Sequence, residues 1–337
     1  MTKRTTWGKT MNRRLRILVL AIAFVVVAVV SLGIGRYPIS PIRVMQTLLG
    51  GGNAQEKAVV LKIRLPRIIA ATLIGAGLAL AGQTMQMIFR NPLVSPDVLG
   101  TSTAAGFGAS ISLLLGLSTL AVTVNAFIFG VASVVLVWSI GSRVKGEQTM
   151  GLILIGMVVS SLFSAGTSFV KLIADPNNIL PAITYFLMGS LAGCSFQDLQ
   201  IIAVPMVISF ATLLLVSWKL NILSLSEDEA KSLGVNTRLL RSVAIGASTL
   251  MTASAVAVSG QIGWVGLIVP HMARRTTGSN ATYSLPASML FGATFLIIVD
   301  NVSRTATTAE IPIGILTAFI GAPFFLYLIL KENRHEA

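Results

Sequence analysis

Apolar stretches long enough to cross a lipid bilayer recur from one end of this 337-residue chain to the other. A hydrocarbon core about 30 Å thick needs roughly 20 apolar helical residues to span it. Runs of that order stand at about 17–34, 68–89, 97–118, 120–140, 151–170, 199–218, 242–258, 285–299 and 312–330. In lipid a lone segment must satisfy its own backbone N–H and C=O groups, which makes each run a helix. The expected fold is an all-α integral membrane protein, one transmembrane domain over residues 1–337. Two shorter apolar pieces, 183–193 and 262–270, are too short to cross unaided and read as half-helices or re-entrant segments, which need protein or a cavity around them.

Composition closes off the soluble alternatives: 54% of residues are hydrophobic, 11% are charged and the mean hydropathy is +0.83, outside the range of water-soluble domains. The net charge of +13 is scattered between the apolar runs. No basic face interleaved with aromatics is present, so nucleic acid is not an expected partner. The single Cys194 excludes an internal disulfide and a multi-cysteine metal site, and His271 and His335 are too few for a histidine-rich one. Gly8-Lys9-Thr10 imitates the end of a phosphate loop, but the required earlier glycine would fall at Lys3. Neither an enzyme nor a cofactor is expected.

Charge placement sets the topology. Residues 1–16 form a basic tail with six cations ahead of the first run, and no small-x-small cleavage site follows that run, so it reads as an uncleaved first helix with its start in the cytoplasm. Arg238 and Arg241 before the run at 242, and Arg274 and Arg275 after Pro270, both favour the cytoplasm. Two crossings must separate them, which makes the short piece at 262 a crossing. About ten helices result, with both termini inside; nine is the count without that piece. The ten-helix assignment places 17 cations inside and 8 outside, the usual bias. Gly-rich stretches such as 73–82 and 189–193 read mostly as close helix packing.

The source of energy is the next question. A proton- or sodium-driven carrier, the runner-up class, would show carboxylates within its spans, and these helix interiors are almost free of them. Asp300 sits at the outer end of its helix with Arg304 four residues on, read as a local ion pair. Energy is therefore expected from another polypeptide. The loop 221–236 is the candidate contact. Ser226 suits an N-cap, Glu227, Asp228 and Glu229 suit a first turn, Leu225, Ala230 and Leu233 can share an apolar side, and Gly234 ends the helix. This describes a helix of about ten residues outside the membrane; an ordinary solvated loop is the alternative. His271, beside Pro270, has neither a second histidine nor a carboxylate close in sequence, and reads as a structural hydrogen-bonding group.

Several segments in order along nearly the whole chain resemble one family, the permeases of iron-siderophore and cobalamin importers driven by an ATP-binding cassette. They are Leu-Lys-Ile-Arg-Leu-Pro-Arg at 61–67, Phe-Arg-Asn-Pro-Leu at 89–93, Ala-Lys-Ser-Leu-Gly-Val at 230–235, Gly-Gln-Ile-Gly-Trp-Val-Gly-Leu-Ile-Val-Pro-His-Met-Ala-Arg at 260–274 and Ala-Glu-Ile-Pro-Ile-Gly-Ile-Leu-Thr-Ala-Phe-Ile-Gly-Ala-Pro-Phe-Phe at 309–325. The resemblance implies a type II importer permease fold of ten helices in the bacterial cytoplasmic membrane. It further implies a second permease subunit, identical or not, two copies of a separate ATPase and an extracytoplasmic substrate-binding lipoprotein. An iron chelate is the cargo it points to, with cobalamin, haem or another metal complex as alternatives.

By the same resemblance, Leu225, Ser226, Glu227, Ala230, Leu233 and Gly234 belong to the loop that couples to the ATPase. Asn91 and Leu93, with Thr149 and Met150, match the cytoplasmic gate. Met150 departs from the smaller polar residue of the cobalamin member. Arg64, Arg67 and Arg304, placed by the topology on the outer surface, match arginines that pair with two glutamates of the binding protein. From physics alone these arginines would read as helix-end side chains reaching for lipid phosphate.

Overall fold

The computed structural model of the chain describes residues 12–141, 143, 148–224 and 227–336, and these are helical with no strand among them. In chain order the helices are α1 (Arg13–Gly33), α2 (Pro41–Leu48), α3 (Ala54–Lys57), α4 (Leu65–Ile88), α5 (Thr101–Leu114), α6 (Thr119–Gly141), α7 (Gln148–Ile173), α8 (Ile179–Met188), α9 (Phe196–Leu215), α10 (Ser217–Leu220), α11 (Glu227–Ser232), α12 (Thr237–Ser259), α13 (Val265–Thr277), α14 (Ala281–Thr305) and α15 (Ile313–Glu336). A π-helical stretch, Ala58–Arg64, joins α3 to α4, and a 3₁₀ turn, Asn221–Ser224, follows α10.

Seven stretches among the described residues are long and apolar enough to cross a membrane: α1, the continuous Ala54–Ile88, α6, Met150–Ile173 within α7, α9, α12 and α14. The expected ten crossings require α5, α13 and α15 as well. At 13 residues, α13 rises about 20 Å and falls short of the bilayer core; the non-helical residues 260–264 lead into it from the end of α12. The half-helix expected at 183–193 is instead Ile179–Met188, and residues 189–195 are irregular.

The core is organised around α4, which packs against α12, α13 and α14 and is buried along almost its whole length. Helices immersed in lipid gain nothing from hiding apolar surface, so close backbone contact and internal polar bonds hold them together. Both devices are present. A Cβ added to Gly75 would lie 2.3 Å from the Gly292 carbonyl oxygen, and one added to Gly82 would lie 2.0 Å from that of Gly266. Beside the Gly82 contact the Gln83 amide donates to Ser284 Oγ at 2.5 Å and accepts from Ser288 Oγ at 2.5 Å, all three side chains fully buried. By contrast α1 and the Met150–Ile173 stretch bury only 11% and 17% of their apolar windows, leaving broad faces for lipid or another chain.

Replacing Gly82 by Val is expected to force α4 and α13 apart and to destabilise the chain by about 3 kcal/mol or more, lowering its thermal midpoint in detergent and its level in the membrane. Gly246→Ala, at an exposed position of α12 with nothing within 4 Å of the new methyl, is expected to leave the midpoint unchanged or raise it.

Candidate functional site

At one end of the bundle, the Arg67 end, the chain assembles an ion cluster under its surface. Arg64 and Arg67 lie three apart where the π-helical stretch passes into α4, and therefore share a face. Arg67 Nε lies 2.7 Å from Asp300 Oδ1, and its Nη1 lies 2.8 Å from Glu310 Oε2. Asp300 Oδ2 is 3.8 Å from Arg304 Nε, one turn along α14. Arg64 donates to the carbonyls of Leu32, Gly33 and Tyr37 at 2.7, 3.1 and 2.5 Å. Arg304 donates to the Ser31 carbonyl at 2.7 Å and to Asn301 Oδ1.

Two carboxylates cannot neutralise three guanidinium groups. The remaining charge is met by the closing turn of α1, because Ser31, Leu32 and Gly33 present carbonyls that α1 leaves without helical partners, at the negative end of its dipole. The surface position expected for the three arginines is thereby corrected: Arg64, Arg67 and Arg304 are 4%, 5% and 6% exposed. Orphan carbonyls, the buried Asp300 and the part-buried Glu310 draw them inward. The Asp300–Arg304 pair expected from spacing is present, but Arg67 is the nearer partner of Asp300. Glu310, which joins the cluster from the segment ahead of α15 and keeps a 26% exposed side chain, was quoted in the sequence only as part of a motif. Exposed cations close by include Lys62, Arg36, which donates to the Thr307 and Thr308 carbonyls, and Arg43, which sits 3.6 Å from Glu56.

At the opposite end, where α1 starts, α4 stops after Ile88 and the chain turns through Asn91, whose Oδ1 accepts from the Leu93 backbone N–H at 2.9 Å. The following residues pack on α7: Val94 and Leu99 share a buried cluster with Leu152 and Val159, and a Cβ at Gly156 would lie 2.3 Å from the Val98 carbonyl oxygen. Leu93 and Met150 flank this contact and stay 56% and 54% exposed. The Thr149 side chain lies outside the described residues.

The loop expected at 221–236 contains a helix shorter than the ten residues expected, Glu227–Ser232. Leu225, Ser226 and the side chain of Glu227 lie outside the described residues. Ala230 is buried and Leu233 is 59% exposed, so these two do not share a side. Gly234 takes φ +70°, in the left-handed region, and the Val235 N–H donates to the Ala230 carbonyl, the helix end that a glycine after the last turn permits.

Between the two ends lies a cavity of about 550 Å³ lined by the start of α5, the end of α8, the irregular 261–264 segment, α13 and α15. Its polar lining includes Asp97, Ser102 and Gln261. Asp97 Oδ1 accepts from the Ser102 N–H at 2.5 Å, and Gln261 Nε2 donates to the Ser102 carbonyl at 3.2 Å. Trp264, at φ +69°, opens α13, with its ring against Gly321 and 6.3 Å from that of Phe325 on α15. Asp97 and Trp264 were not selected from sequence; the signal available was Asp97 two residues from Pro-flanked Ser95, a helix-start pattern that carries no functional meaning alone. Cys194, between α8 and α9, is pushed up to about 12, chiefly by burial, so the native thiol is unreactive near neutral pH.

Asp300→Asn removes a charge shared by two buried guanidinium groups and is expected to destabilise the chain by about 3–5 kcal/mol. Glu310→Gln, nearer the surface, is expected to cost less. Thermal unfolding of the purified variants measures both; equal midpoints for Asp300→Asn and the parent would show that the α1 carbonyls suffice.

Comparison with known proteins agrees with this architecture. A sequence model of the FecCD transport family matches residues 22–331. The molybdate import system permease protein MolB of Haemophilus influenzae is 43% identical over 320 residues, 94% of this chain and 95% of its own. The Fe(3+)-citrate import system permease protein YfmE of Bacillus subtilis is 39% identical over 336 residues, 99% of this chain and all of its own. A solved metal-chelate type ABC transporter in an inward-facing conformation superposes with a TM-score of 0.86 at 42% identity, over 94% of this chain and 98% of the solved one. The chain belongs to the FecCD transport family of ABC importer permeases, multi-pass membrane subunits that are transport components and not enzymes.

Proposed function

We propose that this chain is the permease through which an iron chelate enters the bacterial cytoplasm, paired with a second permease, powered by two copies of a separate ATPase and supplied by an extracytoplasmic binding protein. The observation that carries the cargo is the likeness to the Fe(3+)-citrate permease, which runs over 99% of this chain and 100% of that one. Molybdate is the second reading, favoured by the 43% identity to the MolB protein. In the proposed orientation the Arg13 end faces the cytoplasm, in keeping with its excess of cations, and the Arg67 end faces out. The whole chain then acts as one transmembrane domain.

Transport proceeds by alternating access: closure of the ATPase pair moves the 221–236 loops and switches the path between outward and inward openings. Leu93 and Met150, with Asn91 and Thr149, close the inner end by excluding water, as uncharged side chains can. Their exposure on a single chain fits a surface that meets the second permease. Docking of the binding protein falls to the Arg67 end. There the buried Arg64, Arg67 and Arg304 hold the surface in shape, and surface glutamates of the binding protein would meet a cluster whose net charge is positive.

Vesicles holding the permease, its ATPase and its binding protein are expected to accumulate radioactive ferric citrate with ATP and not with a proton or sodium gradient alone. Accumulation of molybdate in preference to the chelate would shift the cargo to the second reading, and gradient-driven uptake without ATP would remove the proposal. Leu233→Asp, which places a charge at the exposed position just past the six-residue helix, is expected to lower ATP-driven uptake at least tenfold at normal membrane levels. Cysteines introduced at positions 93 or 150 are expected to cross-link between paired permeases to an extent that changes with nucleotide, the part-buried native Cys194 staying silent.

A further inference from the structure

At the Arg13 end a cleft of about 390 Å³ opens between the last turns of α4 and α13 and the root of the 221–236 loop, lined in part by Gln86, Arg90, Asn221, Arg274 and Ser279. Two of these are cations, and among the described residues no Asp or Glu lines the cleft. Arg90 is held open by its backbone: it takes φ +48°, the left-handed region, just past the end of α4. A glycine would adopt that conformation freely, whereas a side chain there costs about 1–2 kcal/mol. Arg90 Nε donates to the Leu223 carbonyl at 2.8 Å, which ties the cleft to the turn leading into α11. Arg274 is part-buried in the last turn of α13, and among the described residues its guanidinium has neither a hydrogen bond nor an ion pair. The dipole of its own helix favours a cation there by about 0.3–1 kcal/mol, but offers none of its five N–H donors an acceptor among the described residues. A part-buried cation of that kind gains from an anion brought to it from outside the chain.

We propose that this cleft receives a carboxylate side chain of the ATPase subunit, a second anchor beside the α11 helix. The inference rests on the reading of the Arg13 end as the face that meets the ATPase. Three observations favour a carboxylate from that partner: Arg274 lies in the cleft without an acid beside it among the described residues, the cleft is continuous with the loop that reading assigns to coupling, and Arg90 bonds the base of that loop. An acid held by Arg274 would fasten the ATPase to α13, and through Gly82 and Gly266 to α4, so that movement reaches the core as well as the loop. A planar guanidinium fork suits a carboxylate better than an ammonium group does.

The test uses the complete permease–ATPase complex. In Arg274→Lys the new amine, treated with a water-soluble carbodiimide, is expected to form an amide with a carboxylate of the ATPase, identified as a linked peptide by mass spectrometry and absent from the parent complex. Arg274→Gln, which needs no lysine to fit the cleft, is expected to weaken ATPase binding about tenfold and to flatten its dependence on salt. The proposal requires both results. A link to an acid of the permease itself, such as Asp228, no link at all, or an Arg274→Gln complex that dissociates like the parent overturns it. A parent complex that still binds the ATPase and still imports with ATP in those cases leaves the importer reading standing. Loss of binding by Arg274→Gln that excess inorganic phosphate or anionic lipid reproduces in the parent, with no peptide link, assigns the cleft to a phosphate group instead.

Discussion

The backbone of α4 touches the backbones of α13 and α14, and most of the architecture follows from that proximity. Lipid offers helices no hydrophobic reason to associate, so they are held by contacts that grow as backbones approach. Gly82 against Gly266 and Gly75 against Gly292 bring the axes close enough for Gln83 to bond two serines of α14. In turn the buried α4 has no surface left for lipid, and the more exposed helices, α1, α7 and α9, take the periphery. A central helix crowded on all sides needs small residues on every face, as in the Gly75-Ala76-Gly77-Leu78-Ala79-Leu80-Ala81-Gly82 run.

The same enclosure explains the ion cluster. α4 begins within protein, so cations at its start cannot reach water or lipid phosphate and must find internal acceptors. Asp300, Glu310 and the unfinished carbonyls of α1 provide them. Three parts of the chain distant in sequence, at 31–37, 64–67 and 300–310, are thus fixed to one another at this end. Such a cluster resists separation because parting any one member strands a buried charge.

Much of this was legible in the sequence because the bilayer imposes a simple length rule, and runs such as 151–170 and 199–218 can satisfy it only as helices. What could not be read depends on contacts between distant segments. The spacing of Asp300 and Arg304 shows a turn of helix, but not that Arg67, 233 residues away, lies nearer to Asp300. Positive charge at a helix end was read as surface, since nothing local reveals that α1 finishes beside it. The six-residue extent of α11 is set by where Ala230 packs and where Gly234 turns left-handed, whereas amphipathic spacing alone allowed ten. Asp97 and Trp264 were missed because their meaning comes from a cavity made by five separate segments.

The two ends of the bundle therefore differ mechanically. At the Arg67 end buried charges bind α1, α4 and α14, so a change of shape there would expose several ions at once. The Arg13 end contains no comparable cluster among the described residues; it offers Leu93 and Met150 exposed on the surface and a cationic cleft with room in it. Irregular residues 260–264 and the left-handed Trp264 separate α12 from α13, and α13 touches α15 through Trp264 at Gly321 and Phe325. Within the importer reading, force applied at the Arg13 end meets the less restrained half of the protein. It reaches α13 and α15 around that break, while the ion cluster holds the opposite end against the same force.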